Sequence, residues 1–502
     1  MFKNALVSVS DKTGLAEFLN PLVKKGLRVV STGGTAKYLR EHHIPVVDVS
    51  EVTGFPEVMD GRVKTLHPKI HMSLLARTWN SQDMELLKSE SVEAFDLVIV
   101  NLYPFEKSLG SGVEGPALIE QIDIGGPSML RSASKSFDRI TVLCDPEDYS
   151  QVSQKTSPEL RKKLAAKAFA HVSVYDSLIS RTLGEGEILK EFPLGGHWQQ
   201  SLRYGENPHQ KAWWYRIPGE EGLHGARIVQ GKELSYNNLL DLDAAWRACS
   251  LFSDTTVVAV KHNNPCGVGT GDHLLVATEK ALGADPVSVF GGIIAMNRTV
   301  TGDVAQKLTE IFLECVLAPG YTAEALEVFS AKKNLRILQG EFQSKSQYQV
   351  REVLGGFLVQ THDQVEGIGP SWKFFGKEPS AEFREELEFS WKLCSVLKSN
   401  AIAVSFQGQS IGLGMGQVNR VDAVEQAIHR ARRHHSKKLE SGHCVLSSDG
   451  FFPFADSIEL AAAAGIKWVV QPGGSIKDKE VIEAAQRLGV HLAFTGQRHF
   501  RH

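Results

Sequence analysis

Short apolar runs and longer amphipathic stretches take turns along residues 1–195. Ala5 to Val9 reads as a buried strand, Lys12 to Lys25 as a helix with one apolar face, and Arg28 to Ser31 as a second strand. Thr32-Gly33-Gly34-Thr35 is a turn that opens a helix running through Arg40. Val46 to Val49, Leu97 to Leu102 and Arg139 to Cys144 supply further strands. This βαβ rhythm predicts an α/β fold with a doubly wound parallel sheet, and ligands at the carboxyl ends of its strands.

Pro193-Leu194-Gly195-Gly196 breaks the pattern, and an α/β rhythm resumes after it. Thr256 to Lys261 and Gly291 to Ala295 are strand-like, and Leu275 to Leu282 is helical. Residues 340–385 are largely polar, with Gly367, Gly369 and Pro370 as breakers, and are expected to form a connection with excursions. A third α/β stretch follows, with strands at Ala401 to Phe406, Cys444 to Ser447 and Lys467 to Val470. No short tandem period and no low-complexity tract interrupts this order.

At 502 residues the chain is too long for one ordinary core, so two or three domains are expected. Apolar content of 42% and charged content of 23% are those of a globular protein in water. A net charge of -3 argues against nucleic-acid binding by bulk basicity, while leaving room for local basic pockets that hold small anions. Six scattered cysteines, without a Cys-x-x-Cys pair or zinc-like spacing, are expected to be reduced and mostly buried. The N-terminus lacks a long apolar signal core and no run reaches membrane-span length, so a cytoplasmic protein with no membrane partner is expected.

Two turns of the first domain suit phosphate. Ser8-Val9-Ser10-Asp11-Lys12-Thr13-Gly14 and Ser31-Thr32-Gly33-Gly34-Thr35 each follow a strand and precede a helix. Small residues there let an anion approach the unpaired N–H groups of a helix start. Ordinary turn chemistry explains either motif alone; two in one sheet favour a phosphate-bearing ligand. The next group is Lys64, in Gly61-Arg62-Val63-Lys64-Thr65, with Tyr103, in Asn101-Leu102-Tyr103-Pro104-Phe105. Asp123 precedes Ile124-Gly125-Gly126, and Lys135 follows about three and a third helical turns later. A lone lysine is usually a solvated helix face, so these four matter only if they converge. In the second half, Val258-Ala259-Val260-Lys261-His262-Asn263-Asn264-Pro265 delivers a cation and a titratable imidazole together into a turn.

Together these segments resemble the bifunctional purine-biosynthesis family that joins AICAR transformylase to IMP cyclohydrolase, from Ala5 to His502. The transformylase pattern runs through Arg203-Tyr204-Gly205-Glu206-Asn207-Pro208, Lys232 to Asn238, Lys261 to Pro265 and Asp285 to Gly292. It continues through Lys398-Ser399-Asn400, Phe451-Phe452-Pro453-Phe454 and Thr495-Gly496-Gln497-Arg498. The resemblance implies a methylglyoxal-synthase-like, Rossmann-type domain over 1–195 for cyclohydrolase chemistry. It also implies two cytidine-deaminase-like subdomains without zinc, at about 196–340 and 385–502, for formyl transfer; the missing Pro-Cys-x-x-Cys ligand pair agrees.

For ring closure of FAICAR to IMP, the resemblance implies that Asp123 orients or deprotonates the amide. Lys64 and Tyr103 stabilise oxyanion charge, and Lys135 assists proton delivery to the departing water. Ser8, Ser10, Lys12, Ser31, Thr32, Gly33, Gly34, Thr35, Arg62, Thr65, Asn101, Gly125 and Gly126 are expected around that substrate. For formyl transfer from 10-formyltetrahydrofolate to AICAR, His262 is the proton acceptor, since an imidazole ordinarily titrates near ~6.5. Lys261 supplies charge and Asn400 a hydrogen bond; Arg203, Tyr204 and Arg498 are expected on the nucleotide. Phe451, Phe452 and Phe454 are stacking candidates, with core packing equally open for each ring, and Phe452 is carried among the binding residues. His67, His209 and His502 are more ordinarily hydrogen-bonded or exposed. No tightly bound cofactor and no metal is expected, with potassium as a candidate monovalent cation. A homodimer that shares its transformylase site is also implied.

Val289 and Met296 depart from the pattern only as packing variation. A methylglyoxal-synthase-like lyase leaves the second half unused, a zinc deaminase lacks its ligands, and a nucleotide-sensing regulator does not need Lys64, Lys261 and His262.

Overall fold

Strand β1 (Asn4–Ser8) is buried along nearly its whole length and pairs in parallel with β2 (Arg28–Ser31) on one side and β4 (Leu97–Val100) on the other. Adding β3 (Val47–Asp48) and β5 (Thr141–Leu143) gives an all-parallel sheet of order β3-β2-β1-β4-β5. The strand order reverses beside β1, which opens a crevice at the carboxyl ends of β1 and β4. The structure, a computed structural model, describes residues 1–343 and 346–502. Residues 344 and 345, inside the stretch expected to be a connection, lie outside the described residues.

The first helix, Leu15–Val23, is shorter than its pattern predicts: Gly14 takes a left-handed conformation (φ 66) that holds residues 12–14 out of the helix. Leu15, Ala16, Leu19 and Leu22 form its buried stripe; each fully buried leucine contributes about 1.5–3 kcal/mol. The long helix Pro158–Leu183 starts with proline at its first turn and a Ser157 hydroxyl that accepts from Leu160 N–H.

The chain divides into two compact units, Met1–Trp198 with Tyr215–Gly219, and Gln199–Trp214 with Glu220–His502. It passes between them in a hairpin of β6 (His197–Leu202) and β7 (Ala212–Arg216). In the second unit, β8 (Arg227–Gln230), β9 (Thr256–Lys261), β10 (Asn264–Thr270), β11 (Ile293–Met296), β12 (Cys315–Ala318) and β13 (Arg336–Gln339) form one half of a large sheet. A separate hairpin of β14 (Tyr348–Val353) and β15 (Gly356–Thr361) follows. The other half comprises β16 (Lys373–Phe375), β17 (Ile402–Phe406), β18 (Gln409–Gly414), β19 (Val445–Ser448), β20 (Trp468–Gln471) and β21 (His491–Phe494).

The twelve strands run in the order β16-β21-β20-β19-β17-β18-β10-β9-β11-β12-β13-β8. Each half reads outward from the centre as an antiparallel hairpin, three strands in parallel, and an antiparallel edge strand. The halves join where β10 meets β18 at Gly269 and Gln409, reinforced by Val268 N–H donating to Ser410 Oγ at 2.8 Å. On each central strand two glycines admit a helix at close range. A Cβ at Gly267 or Gly269 would meet the Ala281 or Ala277 carbonyl at 2.1 and 2.4 Å, and one at Gly412 or Gly414 would meet Ala427 or Ala423 at 2.2 and 1.9 Å. The helices so received are Leu274–Ala284 and Arg420–Leu439.

The correspondence extends to the sequence. Trp246, Cys249 and Asp241 lie on helix Tyr236–Cys249; Trp391, Cys394 and Glu386 lie on helix Ala381–Ser395. Each pair is separated by 145 positions (391 − 246, 394 − 249, 386 − 241). The second unit is thus an internal duplication that the absence of a short tandem period does not reveal.

Candidate functional site

At the crevice of the first unit, the loop after β1 and the residue after β4 are bound to each other. Asn101 Oδ1 accepts from the Ser10 and Asp11 N–H groups at 2.6 and 2.9 Å, and its amide nitrogen donates to the Asp11 carbonyl at 2.9 Å. Thr35 closes the other side, accepting from Val9 N–H and donating to the Val9 carbonyl, both at 3.0 Å. These bonds hold two helix starts around a cavity of about 640 Å³.

Ser8, Ser10, Lys12, Thr32, Gly34, Thr35, Arg62, Lys64, Thr65, Asn101, Tyr103, Asp123, Gly125 and Gly126 all line this cavity. Two other expected residues serve its walls. Ser31 is buried and its hydroxyl donates to the Val7 carbonyl at 2.7 Å, tying β2 to β1. Gly33 has φ 54, and a Cβ there would lie 2.8 Å from Lys64 Nζ, so the lysine head rests over that turn. Lys135 lies apart. It is the last residue of helix Gly125–Lys135, whose first residues form the cavity wall, and it lines a separate open groove with Arg131, Phe137 and Phe169.

Asp123 sits at the start of that helix. Its Oδ1 accepts from Gly126 N–H at 2.8 Å, and its own N–H donates to Tyr175 Oη at 2.8 Å. Glycine at 126 is required by space, since a Cβ would fall 2.5 Å from Asp123 Oδ2 and 2.7 Å from Leu102. Burial pushes the Asp123 carboxyl above its ordinary range, opposed by N–H groups of Gly126, Tyr103 and Gly125 and by the Lys64 ammonium. Burial, and then the charges of Asp123 and Glu57, push the Tyr103 phenol up as well, keeping it a hydrogen-bond donor at neutral pH. Lys64 Nζ lies 3.5 Å from Glu57 Oε1. Glu57 and Tyr175 carry no motif; Tyr175 lies 52 positions from Asp123 and becomes visible as its partner only in three dimensions.

In the second unit, His262 and Asn263 are the two central residues of the β9–β10 hairpin, with φ of 54 and 61. Both are left-handed, as a type I′ turn demands, which twists the turn to match its strands. Asp241 secures it, accepting from Asn263 N–H at 2.5 Å, while the Asn264 side chain donates to the His262 carbonyl at 2.9 Å. Burial pushes the Asp241 carboxyl up, with the Asn263 N–H and the His262 charge pulling the other way. Lys261 Nζ donates to the Phe290 carbonyl at 2.7 Å, which places the Asp285 to Gly292 segment beside it. Asn237 donates to the Glu206 carbonyl at 3.3 Å, tying the loop after Arg203 and Tyr204 to the same helix as Asp241. The Arg203 guanidinium lies 5.5 Å over the Tyr204 ring.

Asn400 and Arg498 belong to the other half of the sheet. Ser399 N–H donates to the Arg501 carbonyl at 2.9 Å, and Arg501 N–H donates to Ser399 Oγ at 3.0 Å, so the C-terminal segment is bound to the Asn400 loop. Arg498 is exposed, its guanidinium 4.7 Å from the Phe500 ring centre. Phe452 corrects an expectation: it is 0% exposed and packs in the core, with its N–H on Gln471 Oε1 at 2.6 Å, so it cannot stack on a ligand. Phe451 and Phe454, at 39% and 58% exposed, are the rings of that segment that reach the surface. Among the described residues no group of His, Cys, Asp and Glu has the arrangement of a metal site.

Residues 14–128 match the MGS-like domain family, and residues 133–430 match the AICARFT/IMPCHase bienzyme family. The chain is 46% identical to the Bifunctional purine biosynthesis protein PurH of Lactococcus lactis subsp. cremoris (strain SK11) over 525 aligned positions, covering all of both chains. Proteins of the same name from Enterococcus faecalis (46%, all of both chains) and Aquifex aeolicus (45%, 99% of this chain and all of that one) are similar over their full lengths. A solved structure described as the crystal structure of ForH is 31% identical over 37% of this chain and all of that one, with a TM-score of 0.33. On these family matches, and on identity sustained from end to end, the chain belongs to the AICARFT/IMPCHase bienzyme family.

Proposed function

We propose that the two reactions of the family, formyl transfer to AICAR and dehydrative closure of FAICAR to IMP, are divided between the two units of this chain. The observation that carries this division is the gathering of Lys64, Tyr103 and Asp123 with two phosphate-suited turns around one cavity of the first unit.

Ring closure belongs in that cavity. The nucleotide phosphate binds at the N–H groups that start helix Gly33–Glu41, with the Ser10 and Thr32 hydroxyls and the Lys12 ammonium beside them, since the Val9, Ser10 and Asp11 N–H groups are held by Thr35 and Asn101. The carboxamide nitrogen attacks the formyl carbon and passes a proton to Asp123; the formyl oxygen takes up that proton, then the proton of the formamide nitrogen, and leaves as water as the ring forms. Tyr103, as a neutral donor, and Lys64, as a cation, stabilise the oxygen that gains charge. Lys135 lines a separate groove rather than this cavity, and we give it no step.

Formyl transfer belongs to the second unit. The AICAR amine attacks the formyl carbon of 10-formyltetrahydrofolate, and the bond from that carbon to the folate nitrogen then breaks. His262 removes the amine proton and returns it to the departing nitrogen, while Lys261 and Asn400 stabilise the tetrahedral oxygen. Arg203, Tyr204 and Arg498 hold the nucleotide. Lys261 and Asn400 arise on opposite halves of the duplicated sheet, and a site completed by a second copy of the chain, in a cytoplasmic homodimer, accommodates this. Potassium has no step in this scheme.

The test is the purified chain with AICAR and 10-formyltetrahydrofolate, with tetrahydrofolate and IMP followed separately. His262→Ala is expected to release neither product yet to close supplied FAICAR. Lys64→Ala is expected to release tetrahydrofolate normally while closure falls about 10²-fold or more. Loss of both reactions in either variant, with the fold intact, would refute the division.

A further inference from the structure

We infer that Arg420 is a positioning residue for formyl transfer, fixing the Asn400 amide so that one of its N–H bonds is kept for the substrate. The inference rests on the role given to Asn400 above. Arg420 opens helix Arg420–Leu439 and is only 9% exposed. Its Nη1 donates to Asp449 Oδ1 and, at 2.8 Å, to Ser448 Oγ. Its Nη2 donates to Asn400 Oδ1 at 2.8 Å. On the other side of the amide, Asn400 Nδ2 donates to the Gln417 carbonyl at 2.9 Å.

A side-chain amide has two donor hydrogens and one acceptor oxygen. With Oδ1 against a guanidinium and one Nδ2 hydrogen on a carbonyl, the amide cannot flip without turning N–H toward the cation. The remaining Nδ2 hydrogen is the one free for an oxygen that gains charge. The guanidinium is fixed in turn. Asp449 is fully buried and also accepts from the Ser399 hydroxyl, the residue next to Asn400. A Cβ at Gly450 would fall 2.5 Å from Arg420 Nη2, so the arginine fills the space that a side chain there would occupy. A buried Arg–Asp pair adds little net stability by itself; its fork aimed at Asn400 supplies a reason for its presence. Lysine offers a point charge without that fork.

A double-mutant cycle in the full chain tests this: Asn400→Ala, Arg420→Gln and both together, each assayed for kcat and KM in formyl transfer. FAICAR closure and thermal melting serve as controls of the fold. A second set adds Asp449→Asn to Arg420→Gln, which leaves no buried carboxylate unpaired. Arg420→Gln is expected to lower kcat about 10- to 100-fold with KM for AICAR unchanged, and to cause no further loss in the Asn400→Ala background. Arg420→Lys is expected to melt close to wild type yet fail to restore kcat. Additive losses, or full rescue by lysine, would overturn the inference while leaving Asn400 in place. A silent Asn400→Ala would instead remove the assignment on which it rests.

Discussion

Asp123 shows how a carboxyl proposed as a base is also costly to bury. Its folded-state pKa lies above its unfolded value because burial disfavours the anion. The sign follows from linkage: stability rises as pH falls through the raised value, and is fully regained below the unfolded pKa. Asp123→Asn keeps an acceptor for Gly126 N–H and has no charge to bury. It is therefore expected to raise Tm by a few degrees near neutral pH and to abolish ring closure. Its stability advantage shrinks on acidification, as thermal melts across pH will show. In the wild type, the acid limb of the closure rate should sit above the ordinary carboxylate range. A limb at the ordinary position would take Asp123 out of the role of base. At this scale the sequence was legible where small residues flank a charge, as around Asp123 and Lys64. It was opaque where a partner comes from a distant element, as with Tyr175. It misled at Phe452, because Phe-Phe-Pro-Phe does not say which ring turns inward.

Among the elements, the β9–β10 turn ties the proposed formyl transfer most directly to backbone conformation. His262 and Asn263 both occupy left-handed φ, where a β-branched side chain is strained by about 1–3 kcal/mol. Asn263→Gly should retain formyl transfer, whereas Asn263→Val should lower it while FAICAR closure continues. Equal activity of the two variants would separate turn geometry from function. The strand that delivers Lys261 was readable from its apolar run, since a buried strand is continuous in Val and Ala. The left-handed turn was not, because His262-Asn263 lacks the Asn-Gly signature of such hairpins. The opposite hairpin uses Gln407 and Gly408, with φ of 47 and 68, and its Gly408 N–H donates to Glu386 at 2.7 Å. It thus copies the Asp241 device with a different acid.

Taken whole, the chain carries two chemistries that the proposed assignment makes separable. A mixture of the Lys64→Ala and His262→Ala proteins is expected to convert AICAR and 10-formyltetrahydrofolate to IMP, because FAICAR made by one variant can diffuse to the other. Stopped-time assays should show a lag while FAICAR accumulates. A mixture that makes tetrahydrofolate but no IMP would show that closure needs both lesions absent from one molecule. The α/β class and the parallel first sheet were legible from periodicity. The joining of the second unit into one twelve-stranded sheet was not, since a contact as narrow as Gly269 to Gln409 leaves no periodic trace.

The 145-residue correspondence also marks where the two halves part. Position 261 is lysine and 262 histidine, while their counterparts 406 and 407 are phenylalanine and glutamine. Both turns keep the helix acid and the glycine strand that shape them, and they differ in the side chains they present. Asn400 stands opposite Thr255 at the same spacing, and Arg420 stands opposite Leu274, these two being the first residues of their helices. The repeat is thus one of scaffold: two edges built to the same plan present different side chains.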